Sequence, residues 1–223
     1  ALKQISLGKV TFTNSNNAAI VTEYDVDYLI PAEQKIGVSV SYSTGTGAKP
    51  LTVDIPKALK LGKKLYGATY KFLFMNVDTF EKFASQEEVY KKCASFVQNV
   101  VGSQDAPDLA TVNAYLAKKK ELYRGLQIIV IDQEITLELA DGSRLTENPF
   151  EDDVMLFSES KVLGNTYWKK PIDAKAMPGS VAEKVMHGHT LVKKYSNESP
   201  VQEVTEGIAN LFPAWNLAGR SVL

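Results

Sequence analysis

The order of apolar and polar residues along the chain predicts both strands and helices. Alternation over residues 9–12 and again over 18–28, with an asparagine-rich turn between them, predicts a β-hairpin. The dense apolar run 70–75 predicts a buried strand that leads directly into helices over 77–83 and 86–100. In the second helix, apolar residues recur at three- and four-residue spacing and form one core-facing stripe: Val89, Cys93, Phe96, Val97 and Val100. These patterns indicate an α+β chain.

The second half of the chain continues the mixture of helix and strand. Residues 109–124 predict a helix that Gly125 ends, and strands follow over 126–131 and 134–139. Further strand-like runs are predicted over 36–42, 153–157 and 186–195. No internal repeat or low-complexity tract interrupts this order.

Two short helices carry boundary signals. Residues 54–62 predict a helix with Asp54 as its N-cap and Pro56 in its first turn. Residues 1–7 resemble the last turns of an amphipathic helix that Gly8 ends. Because the chain begins inside this helix, we expect it to be part of a longer protein.

Composition and charge narrow the class of protein. The 223 residues include 25 Lys and Arg against 26 Asp and Glu, a net charge of −1, so no basic surplus is available for autonomous DNA binding. The apolar runs are strand-sized and too short to span a membrane. Cys93 is the only cysteine, which excludes an intrachain disulfide, and its place in a helical stripe predicts a buried small hydrophobe.

The one glycine-lysine loop, residues 44–50, does not have the spacing of a phosphate-binding loop. Its glycines are two positions apart, and Pro50 follows Lys49, which removes a backbone donor. We therefore predict a surface loop. No Gly-x-Ser-x-Gly nucleophile elbow occurs in the sequence.

Two groups of residues carry alternative chemical interpretations. His187 and His189 would share one face of a strand and could hold a metal, although no second histidine motif supplies further ligands. One loop contains four carboxylates: Glu147, Glu151, Asp152 and Asp153. They could be solvated, they could include an acid–base pair, or they could bind a divalent cation. Neither group completes a recognisable catalytic set, so we predict no enzyme, no catalytic residue, no cofactor and no metal site.

An aromatic and cationic cluster is the sequence's main candidate for a contact with another subunit. Tyr167 and Trp168 precede Lys169 and Lys170, and aromatic residues with long cationic side chains are frequent in interfaces. The alternative is that Trp168 is a core or edge aromatic beside exposed lysines. The same two interpretations apply to residues 212–215.

Four segments, taken in order, resemble phage major capsid proteins of the HK97-like fold, near the lambda-type shell proteins. Residues 1–10 resemble the end of the long spine helix and the strand that follows it. Residues 72–83 resemble the strand, Met-Asn and helix segment of the axial domain, and 125–131 resemble the strand after its two helices. Residues 192–201 resemble the closing segment with its Lys-x-x-Ser-x-x-x-Pro pattern.

The resemblance implies a domain layout and an assembly. It implies peripheral-domain strands over 1–50, a mainly axial domain over 51–185, and a closing strand with a C-terminal tail over 186–223. The implied partners are copies of the same protein in hexamers and pentamers, with scaffold, portal and decoration proteins as further candidates and packaged DNA enclosed without specific recognition. The implied location is the virion capsid, preceded by the host cytoplasm.

The chain departs from the family in several segments, and other functions remain open. The family's N-terminal arm and extended loop have no counterpart in this chain. Conversely, residues 54–62 and 147–153 of this chain have no counterpart in the family. Without the arm and loop, we expect this chain alone to stay monomeric or to form weak oligomers. The alternatives are an encapsulin-like compartment shell and a metal-dependent enzyme that uses His187 and His189.

Overall fold

The computed structural model describes residues 2–12, 24–43, 47–97, 106–138, 142–171, 181–198, 201–216 and 218–223. The chain divides into two compact units. The first comprises Ala1–Leu163 with Leu217–Leu223, and the second comprises Gly164–Asn216.

The first unit contains the described α-helices and seven of the described strands. They occur in this order: α1 (Leu2–Leu7), β1 (Lys9–Phe12), β2 (Tyr24–Asp27), α2 (Ile55–Tyr66), β3 (Phe72–Asn76), α3 (Val77–Ala84), α4 (Glu87–Val97), α5 (Leu109–Lys118), α6 (Lys120–Tyr123), β4 (Gln127–Ile131), β5 (Ile135–Glu138), β6 (Arg144–Glu147) and β7 (Leu156–Ser158). A 3-10 turn spans Ala32–Gln34, a π-helical turn spans Pro50–Asp54, and a second 3-10 turn spans Ala218–Arg220.

A mixed three-stranded sheet forms the centre of the first unit. β3 lies in the middle, parallel to β4 and antiparallel to β7. Parallel neighbours need a long crossover, and α3 to α6 provide it here. β3 is buried at Leu73 and Met75 because helices and sheet enclose it, and the two side chains join one core cluster with Tyr70, Phe83 and Leu116. β1 pairs with β2, and β5 with β6, as separate two-stranded sheets.

The junction between β3 and α3 is fixed by Asn76. Its backbone is extended, and its side-chain oxygen accepts a hydrogen bond from the Thr79 backbone N–H at 2.8 Å, which caps α3. Its amide nitrogen donates to the Phe150 carbonyl oxygen at 3.3 Å. This buried residue therefore ties the start of α3 to the loop that precedes β7.

The start of α2 differs from the sequence prediction. Asp54 makes no N-capping bond, because its carboxylate is buried and accepts bonds from Ser39 N–H at 2.9 Å and Tyr42 Oη at 2.8 Å. Burial, followed by the hydrogen bond and charge of Asp54, raises the pKa of the Tyr42 hydroxyl well above its usual range. The π-helical turn leads into α2 in place of a cap, so the prediction for Asp54 was wrong.

The end of α2 also differs. The helix continues through Gly62 to Tyr66 and ends at Gly67, which has a left-handed backbone with φ of 63°. Gly62 lies against the ring of Tyr70, where a β-carbon would sit 2.5 Å from the Oη atom and closer still to two ring carbons. Gly62 therefore serves close packing inside the helix, which extends beyond the predicted segment 54–62 to Tyr66.

The second unit is made of antiparallel strands. β8 (Gly164–Lys169) pairs with β12 (Asn210–Trp215) as a two-stranded ribbon. β9 (Val181–His187), β10 (Thr190–Glu198) and β11 (Val201–Ile208) form a three-stranded sheet with β10 in the middle.

Several predicted elements are confirmed within the described residues. α1 ends at Gly8, the pair β1–β2 forms the predicted hairpin strands, and α5 with α6 covers the helix predicted over 109–124. Val89 and Cys93 of the predicted stripe are fully buried. The side chains of Phe96, Val97 and Val100 and the turn at 14–17 lie outside the described residues.

Two predicted strands were wrong. Residues 36–42 form no strand. Among the described residues, the Ile36 N–H is the one backbone group of this segment that pairs with the backbone of another segment, at the Leu223 carbonyl oxygen, and the Ser39 N–H is turned to the Asp54 carboxylate. Residues 186–195 are not one strand, because Gly188 has φ of 61° and reverses the chain between β9 and β10. A glycine accepts this left-handed conformation without a Cβ clash.

Candidate interaction surfaces

The two histidines do not share one face of a strand. His187 ends β9, and His189 lies in the turn that follows, so both are exposed at a hairpin. Across the described residues no group of three or more His, Cys, Asp and Glu side chains is placed to hold a metal ion. The geometry that the sequence predicted for this pair was wrong.

The acidic loop is divided among separate partners. Glu147 ends β6 and pairs with Lys3 of α1, with the Lys3 Nζ atom 2.7 Å from Oε2. Asp152 accepts a hydrogen bond from the Asn76 amide, and Asp153 pairs with Lys82 at 2.7 Å. These carboxylates therefore bind donors on different elements and do not converge on one atom position.

Cys93 lies in the core of the first unit. Its side chain is fully buried, and burial raises the pKa of its thiol to about 11. A nucleophilic cysteine needs the thiolate, so this residue is suited to packing and not to chemistry.

The glycine-lysine loop does not present a phosphate site where it is described. Pro50 is buried and begins the π-helical turn, and the Lys49 carbonyl oxygen accepts the Val53 N–H at 2.9 Å. The backbone after Lys49 is thus committed to the turn. Residues 44–46 lie outside the described residues.

The ribbon β8–β12 exposes apolar side chains on both of its faces. Trp168 faces Leu211 across the ribbon, and Tyr167 faces Phe212. Because neighbouring residues of a strand point to opposite faces, each face carries one of these pairs. The four side chains are 55%, 42%, 59% and 37% exposed in that order. Trp168 is therefore no core residue, and the sequence did not single out its partner Leu211.

The hairpin β10–β11 is held together by charge across its strands. Lys193 pairs with Glu206 at 3.2 Å, and Lys194 pairs with Glu203. Lys194's hydrogen bond to Glu203, followed by the charge of Glu203, raises the pKa of Lys194. Lysines on β10 and glutamates on β11 give a polar surface that suits water or a polar partner.

A lysine-rimmed groove lies along α2 and was not singled out from the sequence. Its volume is about 530 Å³, and its wall includes Lys57, Lys60 and Lys64 of the helix. The spacing of these lysines at i, i+3 and i+7 is the signal that would have revealed one basic face. Ile36 and Lys57 also line a second groove of about 490 Å³ that reaches Asp153 and Met155.

Comparisons with known proteins bear on the fold. No family model and no curated protein matches the chain. A solved structure, described provisionally as the capsid protein of a prophage of E. coli CFT073, aligns with 99% of this chain at 14% identity and a TM-score of 0.60. A phage-related protein from Bordetella bronchiseptica RB50 aligns with 86% of the chain at 13% identity and a TM-score of 0.46.

This chain is shorter than both proteins. The alignments cover 59% of the E. coli prophage protein and 55% of the Bordetella protein, so the chain spans between about half and three fifths of their length. No helix among the described residues has the length and apolarity that a membrane span requires. The alignment with the E. coli prophage protein shows that this chain has an α+β fold. It shares that fold, over almost its whole length, with a protein described as a prophage capsid protein.

Proposed function

We propose that this chain is part of the major capsid protein of a phage or prophage, with an HK97-like fold. Copies of the whole protein assemble into hexamers and pentamers and form an icosahedral shell around DNA. The observation that carries this proposal is the fold likeness to a prophage capsid protein, at a TM-score of 0.60 over 99% of the chain.

The two-faced ribbon supports a role in assembly. Single exposed apolar residues are ordinary, but apolar pairs on both faces of one narrow ribbon are typical of surfaces that contact a partner. Tyr167 and Trp168 are also residue types that often anchor interfaces. In a shell, neighbouring copies cover such surfaces.

The same structure favours a mechanical role over the metal-dependent enzyme. The described residues that the sequence offered for chemistry serve packing and ion pairs: Cys93 is buried in the core, Glu147 binds Lys3, and Asp153 binds Lys82. His187 and His189 lie in an exposed hairpin turn. The chain therefore acts through contacts, with other copies as its main partners and scaffold, portal and decoration proteins as further ones.

The test is assembly of the longer protein that contains this chain. It is expressed with the accompanying head genes, and lysate fractions are examined by electron microscopy and for nuclease-protected DNA. Closed shells with protected DNA are expected. Shells that enclose protein cargo and no DNA would favour the encapsulin-like alternative, and a protein that never associates would refute a shell role.

A pair of variants connects the test to the ribbon. Trp168→Ser removes an exposed aromatic from the ribbon, and Leu122→Ser removes a side chain of similar exposure, 49%, from α6. We expect the first to reduce the yield of shells several-fold and the second to leave it unchanged. Equal yields from both variants would exclude the ribbon from the interface. For residues 1–223 alone, light scattering that shows large closed shells would contradict the expectation that this chain by itself stays monomeric or forms weak oligomers.

A further inference from the structure

The groove along α2 combines a basic rim with an apolar floor. Lys57, Lys60 and Lys64 line it from the helix, and all three are exposed. Lys63 lies next to them on the same helix and is exposed too. The floor is formed by side chains that water does not solvate well: Ile36, Val53, Pro56 and Leu61. The groove therefore suits an occupant that offers both carboxylates and apolar surface.

Positive charge at this groove is not neutralised within the described part of the chain. None of the four ammonium groups forms an ion pair there, and Lys57 donates only to the Gly37 carbonyl oxygen at 3.4 Å. Glu33 is the one acidic residue among the lining side chains. Because the whole chain has a net charge of −1, this local excess is balanced by acidic residues elsewhere.

An acidic patch on the same unit provides the complementary surface. We define it as Asp78 and Glu81 of α3 with Asp152 and Asp153 of the loop before β7, and all four are exposed. Lys82 lies among them and pairs with Asp153 at 2.7 Å. The hydrogen bond to Asp153, followed by the charges of Asp153, Asp152 and Asp78, raises the pKa of Lys82. One ammonium group leaves most of the negative charge of this patch uncompensated.

We infer that the basic groove of one copy binds the acidic patch of a neighbouring copy. This inference rests on the proposed shell function and identifies a contact that serves it. The two surfaces carry opposite charge and lie side by side, since Lys57 and Asp153 line one neighbouring groove. Two copies can therefore bind reciprocally, groove to patch and patch to groove, or each copy can bind two different neighbours head to tail, which closes rings of subunits. Opposite charges also accelerate encounter and disfavour the wrong register, in which like surfaces meet.

The groove favours protein over nucleic acid as its occupant. A DNA backbone would use the lysines but would leave the exposed Val53 and the half-buried Leu61 and Ile36 in contact with phosphate and water. α3 of a second copy offers Phe80 and Val77, both half-buried, beside its carboxylates. Because exposed charges are screened within about 8 Å at physiological ionic strength, this contact is expected to weaken as salt is raised.

The test exchanges charges between the two surfaces. A groove variant carries Lys60→Glu and Lys64→Glu, and a patch variant carries Asp78→Lys and Glu81→Lys. Sedimentation velocity over a concentration series measures self-association of the wild type, of each variant and of their equal mixture. Each variant alone is expected to associate at least about tenfold more weakly than the wild type, and the mixture to recover most of the loss, because unlike charges then meet at both surfaces.

A matched control separates this contact from net charge. Lys119→Glu with Lys120→Glu changes the net charge by the same amount as the groove variant, at two exposed lysines outside the groove. This control is expected to associate like the wild type. Circular dichroism establishes that all variants are folded. Zero-length carbodiimide cross-linking of mixed isotope-labelled and unlabelled wild type should join Lys60 or Lys64 of one copy to Asp78 or Glu81 of another.

The outcomes separate this inference from the proposed function. If the wild type self-associates but the groove variant is unaffected, or the mixture recovers nothing, the inference is wrong and the shell proposal stands. Recovery without the intermolecular cross-link would show general charge attraction and would also overturn the inference. DNA binding that the groove variant loses, with unchanged self-association, would assign the groove to nucleic acid. If the wild-type chain shows neither self-association nor the cross-link, the inference is wrong, and the shell proposal is judged separately by assembly of the longer protein.

Discussion

Replacing Gly62 with alanine tests the packing of α2 most directly. In an exposed helix interior this change stabilises a protein by about 1 kcal/mol, because glycine has the greater conformational freedom to lose. Here the new methyl group would overlap the ring of Tyr70, which is fully buried and donates a hydrogen bond from its Oη to the Arg220 carbonyl oxygen at 2.8 Å. The ring cannot swing aside without losing that bond. We therefore expect the sign of the effect to reverse.

The magnitude follows from two costs against one gain. Overpacking a well-filled core costs about 1–3 kcal/mol. Displacing the Tyr70 hydroxyl from its acceptor costs about 1 kcal/mol more. Against a gain of about 1 kcal/mol from helix propensity, Gly62→Ala should destabilise the first unit by about 1–3 kcal/mol. In a chain of this size each kcal/mol lowers the melting temperature by about 2–4 °C.

The assay has to report the first unit. The α-helices of the described residues all lie in that unit, whereas Trp168 and Trp215 both lie in the second. Urea and thermal unfolding followed by far-ultraviolet circular dichroism are therefore the appropriate measurements, and tryptophan fluorescence is not. Lys63→Ala, an exposed change on the same helix, is the control and should shift stability by less than about 0.5 kcal/mol.

A second background isolates the clash. Tyr70→Leu lacks the ring atoms that a methyl group at Gly62 would meet, although it is itself destabilising. In this background Gly62→Ala should be neutral or stabilising, which gives a favourable coupling of at least about 1 kcal/mol in the double-mutant cycle. If Gly62→Ala stabilises the otherwise wild-type protein, the close approach of Tyr70 to α2 is wrong.

Three further predictions concern the cap, the thiol and the ribbon. Asn76→Ala removes the cap of α3 and the bond to Phe150, and should cost about 1–3 kcal/mol in urea unfolding; a cost near zero would contradict both bonds. Cys93 should react with iodoacetamide at pH 8 at least about a hundredfold more slowly in the folded than in the urea-unfolded protein, because its pKa is about 11 and it is buried; equal rates would refute its burial. Trp168→Ser should change the free energy of unfolding by less than about 0.5 kcal/mol, since the side chain is exposed, and a larger loss measured by tryptophan fluorescence of Trp215 would show that it packs within the second unit.

Only part of the candidate interaction surfaces could be predicted from the sequence. Tyr167 and Trp168 were recognisable because adjacent aromatic residues beside lysines are typical of interfaces. Their partners Leu211 and Phe212 come from a distant strand, and only the pairing of β8 with β12 shows that each face of the ribbon carries an apolar pair. The spacing of the lysines of α2 is visible in the sequence and could have predicted one basic face. The apolar floor of the groove includes side chains from other segments, so the sequence alone did not predict it.

The sequence by itself determined the α+β class and most local elements of this protein. Helix and strand periodicity, Gly8 after α1 and the β3–α3 transition at Asn76 depend on neighbouring residues, so local pattern was sufficient to predict them. The tertiary structure decided what depends on distant partners. Asp54 bonds to Ser39 and Tyr42 and does not cap α2. Gly62 lies inside the helix, and the ring of Tyr70 occupies the space that a side chain at this position would need. Burial and long-range hydrogen bonds outweigh local propensity at these positions, because an unpaired buried carboxylate or an overlapping ring costs more free energy than a cap or a helix residue contributes.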